Sequence, residues 1–367
     1  MPLIIKHKPF SGLDTRYRGS LANSSWSLCV GAGISVGLVP TWQELTRRVV
    51  NHAFGTTYDS KAFESAVKDV RWSLDALLQG AANQLKLDGK PADSFTELLE
   101  RSLYEDILAQ ARKEGAEESL RDALNNPRQM RKEDITNLAS FFDKLHRNST
   151  LVQISRSLAK AKEASKSPHA IINFNADTLL FALLDMYLIQ DHAKKIGKWN
   201  HPPYSFVRAL RGIDGLDLDA TPIFHCHGAV APSPSGRFKK AKRRDSREHL
   251  VFTEVDYLSI AGNVATWAQS LFLFHAQSSR LLIIGHSLSD PNIRKWLAWS
   301  LSSSLEEMEA LSTSTEFTPR HVWVAKKPGD SALRQIQEVS LLHLGVRVCW
   351  IDDWTEVGNV FNNLLAL

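Results

Sequence analysis

Four short clusters in this 367-residue sequence carry residue types able to handle a sugar, a phosphate or a water molecule. The first is Gly31-Ala32-Gly33-Ile34-Ser35. Two glycines permit close backbone approach to a phosphate, and amides at a helix start favour negative charge. The third glycine of the common dinucleotide fingerprint is missing, and a plain tight turn is the competing reading. The second cluster, Asn173-Phe174-Asn175-Ala176-Asp177, sets two amides and a carboxylate together, suited to orienting a sugar or a water. Capping of the next helix by Asp177 or Thr178 explains it equally well. The third is His225-Cys226-His227-Gly228. Imidazole titrates near neutral pH and can serve as a general base towards a hydroxyl. On an extended strand, positions i and i+2 share a face, so both rings can lean towards one pocket with Cys226 opposite. A packed, hydrogen-bonded histidine is the alternative, and no further Cys or His cluster completes a metal site. In the fourth, Gly285-His286-Ser287-Leu288-Ser289-Asp290, the glycine again permits close approach and Ser287 offers a hydroxyl to a ribose or phosphate. His286 reads as a helix-start residue without a catalytic task.

Three of the clusters follow an apolar run. Trp26–Val30, residues 170–172 and Arg280–Ile284 lead into the first, second and fourth, and residues 321–325 and Val346–Ile351 add two more, for at least five strands. Continuous rather than alternating apolar character predicts strands buried on both faces, as in a parallel sheet. Helical patterns follow: Thr41-Trp42-Gln43-Glu44 predicts a capping box, residues 178–189 are Leu-rich at helical spacing, and Pro291 suits a first turn. Strand, loop and helix in repetition give an α/β, Rossmann-like doubly wound parallel sheet, in which ligands bind at the carboxyl ends of strands. Residues 64–164, rich in Leu, Ala, Glu, Lys and Arg, form a helical insertion with a turn near Asn125-Asn126-Pro127. The whole chain, residues 1–367, is read as a single domain.

Composition excludes several classes. Hydrophobic residues at 43% and charged residues at 23% describe a globular chain, not a disordered one. No apolar run reaches the ~20 residues that span a bilayer, and the N-terminus lacks a signal-peptide core, so a cytoplasmic protein is expected. Cys29, Cys226 and Cys349 lie far apart and read as buried thiols. Residues 237–247 (RFKKAKRRDSR) carry +6 of a net +4, leaving the remainder at −2. This run reads first as a solvated loop, with a phosphate or nucleic-acid contact as the alternative.

Taken in order, the four clusters resemble the sirtuin (silent-information-regulator) family, whose pattern runs GAG-x-S, an Asn-x-Asp loop, His-Gly, then Gly-x-Ser. The resemblance covers roughly residues 20–65 and 168–360. It implies the sirtuin fold with NAD+ as substrate. Gly31, Ala32, Gly33 and Ser35 match the diphosphate-binding turn, and Asn175 and Asp177 the pair lining the nicotinamide and ribose pocket. His227 matches the catalytic histidine, and Gly285 and Ser287 the loop holding the adenosine ribose. Sirtuin deacylases carry a four-cysteine zinc module after His-Gly. Residues 231–250, the basic loop, stand in its place without a cysteine, so no metal is expected there. What remains is similar to the sirtuin-like domains of bacterial anti-phage systems, through residues 251–257 (VFTEVDY) and 285–292 (GHSLSDPN).

That resemblance implies an NAD+ hydrolase cleaving the nicotinamide–ribose bond, with Asn175 positioning a water or the ribose and His227 as general base. A zinc-less deacylase yielding acyl-ADP-ribose, and a module sensing NAD+ or ADP-ribose, are the alternatives. With no separate sensor or effector domain expected, control by assembly follows: homo-oligomers, and a second protein such as a HerA-type translocase ATPase. The helix around residues 296–301 and the helical insertion are candidate contacts, with core packing the other use.

Overall fold

A computed structural model describes residues 4–5, 8–209, 219–237, 250–262, 266–311 and 316–367. The strands are β1 (Ile4–Ile5), β2 (Phe10–Ser11), β3 (Trp26–Val30), β4 (Ile171–Asn173), β5 (Ser205–Ala209), β6 (Ala220–His225), β7 (Arg280–Ile284), β8 (Glu316–Phe317), β9 (His321–Lys326) and β10 (Val346–Ile351). The helices are α1 (Trp42–Phe54), α2 (Ser60–Val70), α3 (Leu74–Leu87), α4 (Ser94–Lys113), α5 (Glu117–Asn125), α6 (Lys132–Leu145), α7 (Thr150–Glu163), α8 (Leu179–Ile196), α9 (Glu254–Gly262), α10 (Trp267–Ser278), α11 (Pro291–Leu311), α12 (Ser331–Ser340) and α13 (Val357–Leu365).

Eight strands form one sheet in the order β2-β10-β9-β7-β3-β4-β6-β5, every pair parallel. Side chains alternate across it with period two. Leu28, Val30, Ile171, Leu282, Ile284 and Val322 join one apolar core, shared with α1 and α3 to α8. Cys29, Ile172, Leu281, Ile283 and Val348 face the other, shared with α10 and α11. Both faces are covered, which is why these strands read as unbroken apolar runs. The protein is therefore a Rossmann-like α/β fold. From β3 the chain builds β4, β5 and β6 to one side, then returns to place β7, β9 and β10 on the other. The order thus reverses between β3 and β7, where such sheets open a crevice.

Local signals hold in part. Thr41 caps α1 by accepting the Glu44 N–H at 3.3 Å, but Glu44 turns away to bind Arg47 and Arg48, so only half of the expected capping box forms. Asn126 caps a short 3-10 turn at Pro127–Gln129. Between β3 and β4 the chain is helical, α1 to α7, and its apolar side chains enter the same core as the sheet. Trp296 and Leu297, candidate contacts with core packing as the other use, are core residues, at 2% and 0% exposure. Among the described residues no helix is long and apolar enough to cross a membrane. All three cysteines are free and buried. Of the basic run only Arg237 is described; residues 238–249 lie outside the described residues.

Candidate active site

A cavity of about 630 Å³ opens along the carboxyl edge of the sheet. Its wall includes Gly31, Ala32 and Gly33 after β3, Asn175 and Asp177 after β4, His227 after β6, Gly285 to Ser287 after β7, and Trp323 to Lys326 at the end of β9. These five strands are neighbours, so at ~4.8 Å per strand the row spans roughly 19 Å, room for an extended dinucleotide. The structure thus gathers Gly31, Ala32, Gly33, Asn175, Asp177, His227, Gly285 and Ser287 on one pocket. Ser35 is the exception: fully buried, it stands behind the wall and donates its hydroxyl to Asp177 Oδ2 at 3.0 Å.

The glycine turn is built by loop packing. A Cβ on Gly31 or Gly33 would meet the Gly285 carbonyl oxygen at 2.7 or 2.8 Å, and one on Gly285 would meet the Ile34 nitrogen at 2.5 Å. Gly285 also has φ +67°, which L side chains rarely adopt. The Gly31 and Gly33 amides are consumed by Ile284 and Gly285 carbonyls at 3.1 and 2.8 Å, and Ile34 N–H closes on Gly31. The expected row of free amides is therefore reduced, and these glycines are required first because two loops cross there.

The opposite wall is made of side chains. Asn175, 4% exposed, donates from Nδ2 to Ser35 Oγ at 3.4 Å, while its buried Oδ1 has no hydrogen-bond donor among the described residues. An amide oxygen left open beside a cavity is a ready acceptor for a ligand hydroxyl or water. Asp177 accepts the Leu179 N–H and the Ser35 hydroxyl, and burial pushes its carboxyl up to about 6. His227 packs edge-on to Phe174 and Tyr257, with ring centroids 5.1 and 5.7 Å away. Burial pushes its imidazole down to about 4; the charge of Asp290 opposes that and His286 adds to it. At neutral pH the ring is unprotonated and able to accept a proton.

The two histidines part company. β6 ends at His225, and Cys226 and His227 form the turn that follows, so the i, i+2 rule for extended chain does not reach His227. His225 turns inward, its Nδ1 3.0 Å from the Asn175 carbonyl oxygen, with burial holding its charged form far down. It lines no part of the cavity and instead supports the loop that carries Asn175.

Several wall residues escaped the sequence reading. His286 is not at a helix start, since α11 begins at Pro291; it faces the cavity, and its Nδ1 accepts the Leu288 N–H at 3.2 Å. Leu288 itself has φ +54°, yet is buried in the second core, and Arg294 donates to its carbonyl. Phe174 touches the rings of both His227 and His286. Trp323, fixed by its Nε1 donating to the His286 carbonyl at 2.8 Å, and Trp354 give the β9 end an aromatic character. Tyr257, Asp290 and Leu103 also line the cavity. Ser287 is exposed and its hydroxyl lies 2.6 Å from that of Ser289. Among the described residues no group of three or more His, Cys, Asp or Glu is placed to hold a metal ion.

A parallel sheet with a cavity at its order reversal defines the Rossmann-like α/β class, in which ligands bind at the carboxyl ends of the strands. Residues 169–344 match the model of the SIR2-like domain, which supports a sirtuin-like family for this part of the chain. A SIR2-like domain suggests NAD-related activity in general. No curated protein matches the chain.

Proposed function

We propose that this protein is an NAD+ hydrolase that breaks the nicotinamide–ribose bond to give nicotinamide and ADP-ribose. The supporting observation is the convergence of Asn175, His227 and the Gly31–Gly285 crossing on one elongated cavity. The diphosphate would lie over the crossing, with Ala32 exposed there, and the nicotinamide riboside would reach Asn175 and His227. The purine would lie towards Trp323 and Trp354. Cleavage of the glycosidic bond develops positive charge on the ribose. The bonding pair leaves with neutral nicotinamide, water oxygen bonds to the anomeric carbon, and the water's proton passes to His227. Asn175 Oδ1 would accept from that water or from a ribose hydroxyl, and the Asp290 charge would steady the imidazolium. Leu103, Val251 and Phe252 narrow the cavity with apolar surface that limits bulk water.

The wider role is part of the same proposal: NAD+ depletion in anti-phage defence, by a homo-oligomer working with a translocase ATPase. Support comes from residues 251–257 and 285–292, similar to that branch of sirtuin-like proteins. The test is incubation of purified protein with NAD+, with products separated and weighed. Nicotinamide and ADP-ribose in equal amounts are expected, and Asn175→Ala or His227→Ala should slow their release by about 10³-fold. Parent rates in both variants would sink the assignment. Acyl-ADP-ribose formed from an acylated peptide would replace hydrolysis by deacylation.

A further inference from the structure

Tyr104 lies on α4, in the segment between β3 and β4, and is almost wholly buried at 1% exposure. Its hydroxyl sits between the two loops that carry the proposed chemistry. It donates to the Val230 carbonyl at 2.7 Å and accepts the Thr178 N–H at 2.9 Å. Val230 stands three residues after His227, and Thr178 three residues after Asn175. The loops also meet directly, Val230 N–H donating to the Ala176 carbonyl at 2.7 Å. Thr178 is anchored a second time by its own hydroxyl, which donates to the Leu124 carbonyl of α5 at 2.8 Å.

Beyond Val230 the chain stays fastened to the same helices. Asn125 Nδ2 donates to the Pro232 carbonyl at 2.8 Å, and the Ser235 amide and hydroxyl donate to Asp122 at 2.9 and 2.8 Å. Arg237 then pairs with Asp122 and Asp134 at 3.0 and 2.7 Å. These contacts hold the downstream chain only. Among the described residues, the Tyr104 hydroxyl is the side-chain group from a third element that bonds to both loops at once.

We infer that Tyr104 is a positioning residue whose hydroxyl fixes the separation of Asn175 and His227. It touches no reacting atom. Without it the Thr178 amide, in a residue with 0% exposure, loses its acceptor, and burial of an unpaired amide forces the loop to shift. A displacement of ~1 Å at reacting groups can cost roughly 10²-fold in rate. The inference rests on the NAD+-cleaving reading for its kinetic arm, and its structural arm is independent of that reading.

The experiment compares Tyr104→Phe with Tyr187→Phe. Tyr187 is an equally buried tyrosine whose hydroxyl donates to Asp143 at 3.3 Å, away from the cavity. Tyr104→Phe is expected to lower kcat for NAD+ cleavage by about 10- to 100-fold, with KM changed less than about threefold. Its Thr178 amide should exchange with solvent faster, whereas Tyr187→Phe leaves kcat and that amide at parent values. Equal kcat in the two variants, or unchanged exchange at Thr178 in Tyr104→Phe, would overturn the inference. If the parent leaves NAD+ intact, the reaction reading fails, and the exchange at Thr178 decides this proposal by itself.

Discussion

The two walls of the cavity are made by different means. On one side, Gly31, Gly33 and Gly285 pass so close that no Cβ fits, and backbone meets backbone. On the other, Asn175, Asp177 and His227 are side chains steered by the buried Ser35, Phe174 and inward-facing His225 and by the half-buried Tyr257. The glycine crossing tolerates no added atom. The side-chain wall, in the proposed reaction, depends on single polar groups. Damage to the first should therefore be read in stability, and damage to the second in rate.

The largest expected effect separates the two histidines. His227→Ala should lose about 10³-fold in kcat/KM with its melting temperature near the parent's, because its ring is partly open to the cavity. His225→Ala should instead lose stability first, since its ring is sealed beneath the Asn175 loop. Equal rate losses in both at equal stability would erase the distinction. The acid limb of kcat/KM sharpens it further. A base held at about 4 gives activity that persists down to about pH 5 and falls below it, whereas a fall centred near 6 would assign control to Asp177.

Next in size is the backbone wall. Gly285→Ala combines a disfavoured φ with a backbone clash at 2.5 Å and should destabilise by about 3–5 kcal/mol in chemical denaturation. A loss under about 1 kcal/mol would mean that the loops part easily. Asp177→Asn probes the join between the walls. Its native carboxyl is raised to about 6 from 3.8 unfolded, so the folded state favours the protonated form. The stability this confers is complete below about 3.8 and lost as pH rises through about 6. The buried histidines, lowered in the fold, act with opposite sign below 6.5, so the difference between parent and variant is the quantity to read. Between pH 4 and pH 7 that difference should move in the variant's favour by up to about 3 kcal/mol. A flat difference would show that Asp177 is not buried as described. The smallest effect belongs to Gly37→Ala, where φ is +84° but the space is open, for a cost of about 1 kcal/mol and no loss of rate.

What the sequence disclosed follows the same division. Runs such as Trp26–Val30 and Arg280–Ile284 were legible as strands because both faces are buried. β5, with Arg208 in its middle, carries no such signal and was missed. The glycines were legible as special positions, but their reason was not: loop crossing depends on residues 252 positions apart, Gly33 and Gly285, and leaves no local mark. His227 was legible through its neighbour Gly228, whereas its separation from His225 depended on where β6 stops. Tyr104 had no motif at all, since its part is defined only by what surrounds it.

Leu288 carries a last consequence. A leucine in left-handed backbone stores about 1 kcal/mol or more, and here it persists because its side chain is sunk in the core beneath α11 while both of its backbone polar groups are held. Replacing it by glycine would ease the backbone and at the same time remove the weight that keeps Ser287 and His286 at the rim. Relief of strain and loosening of the rim would then arrive together: a variant whose loop is more comfortable and less well aimed.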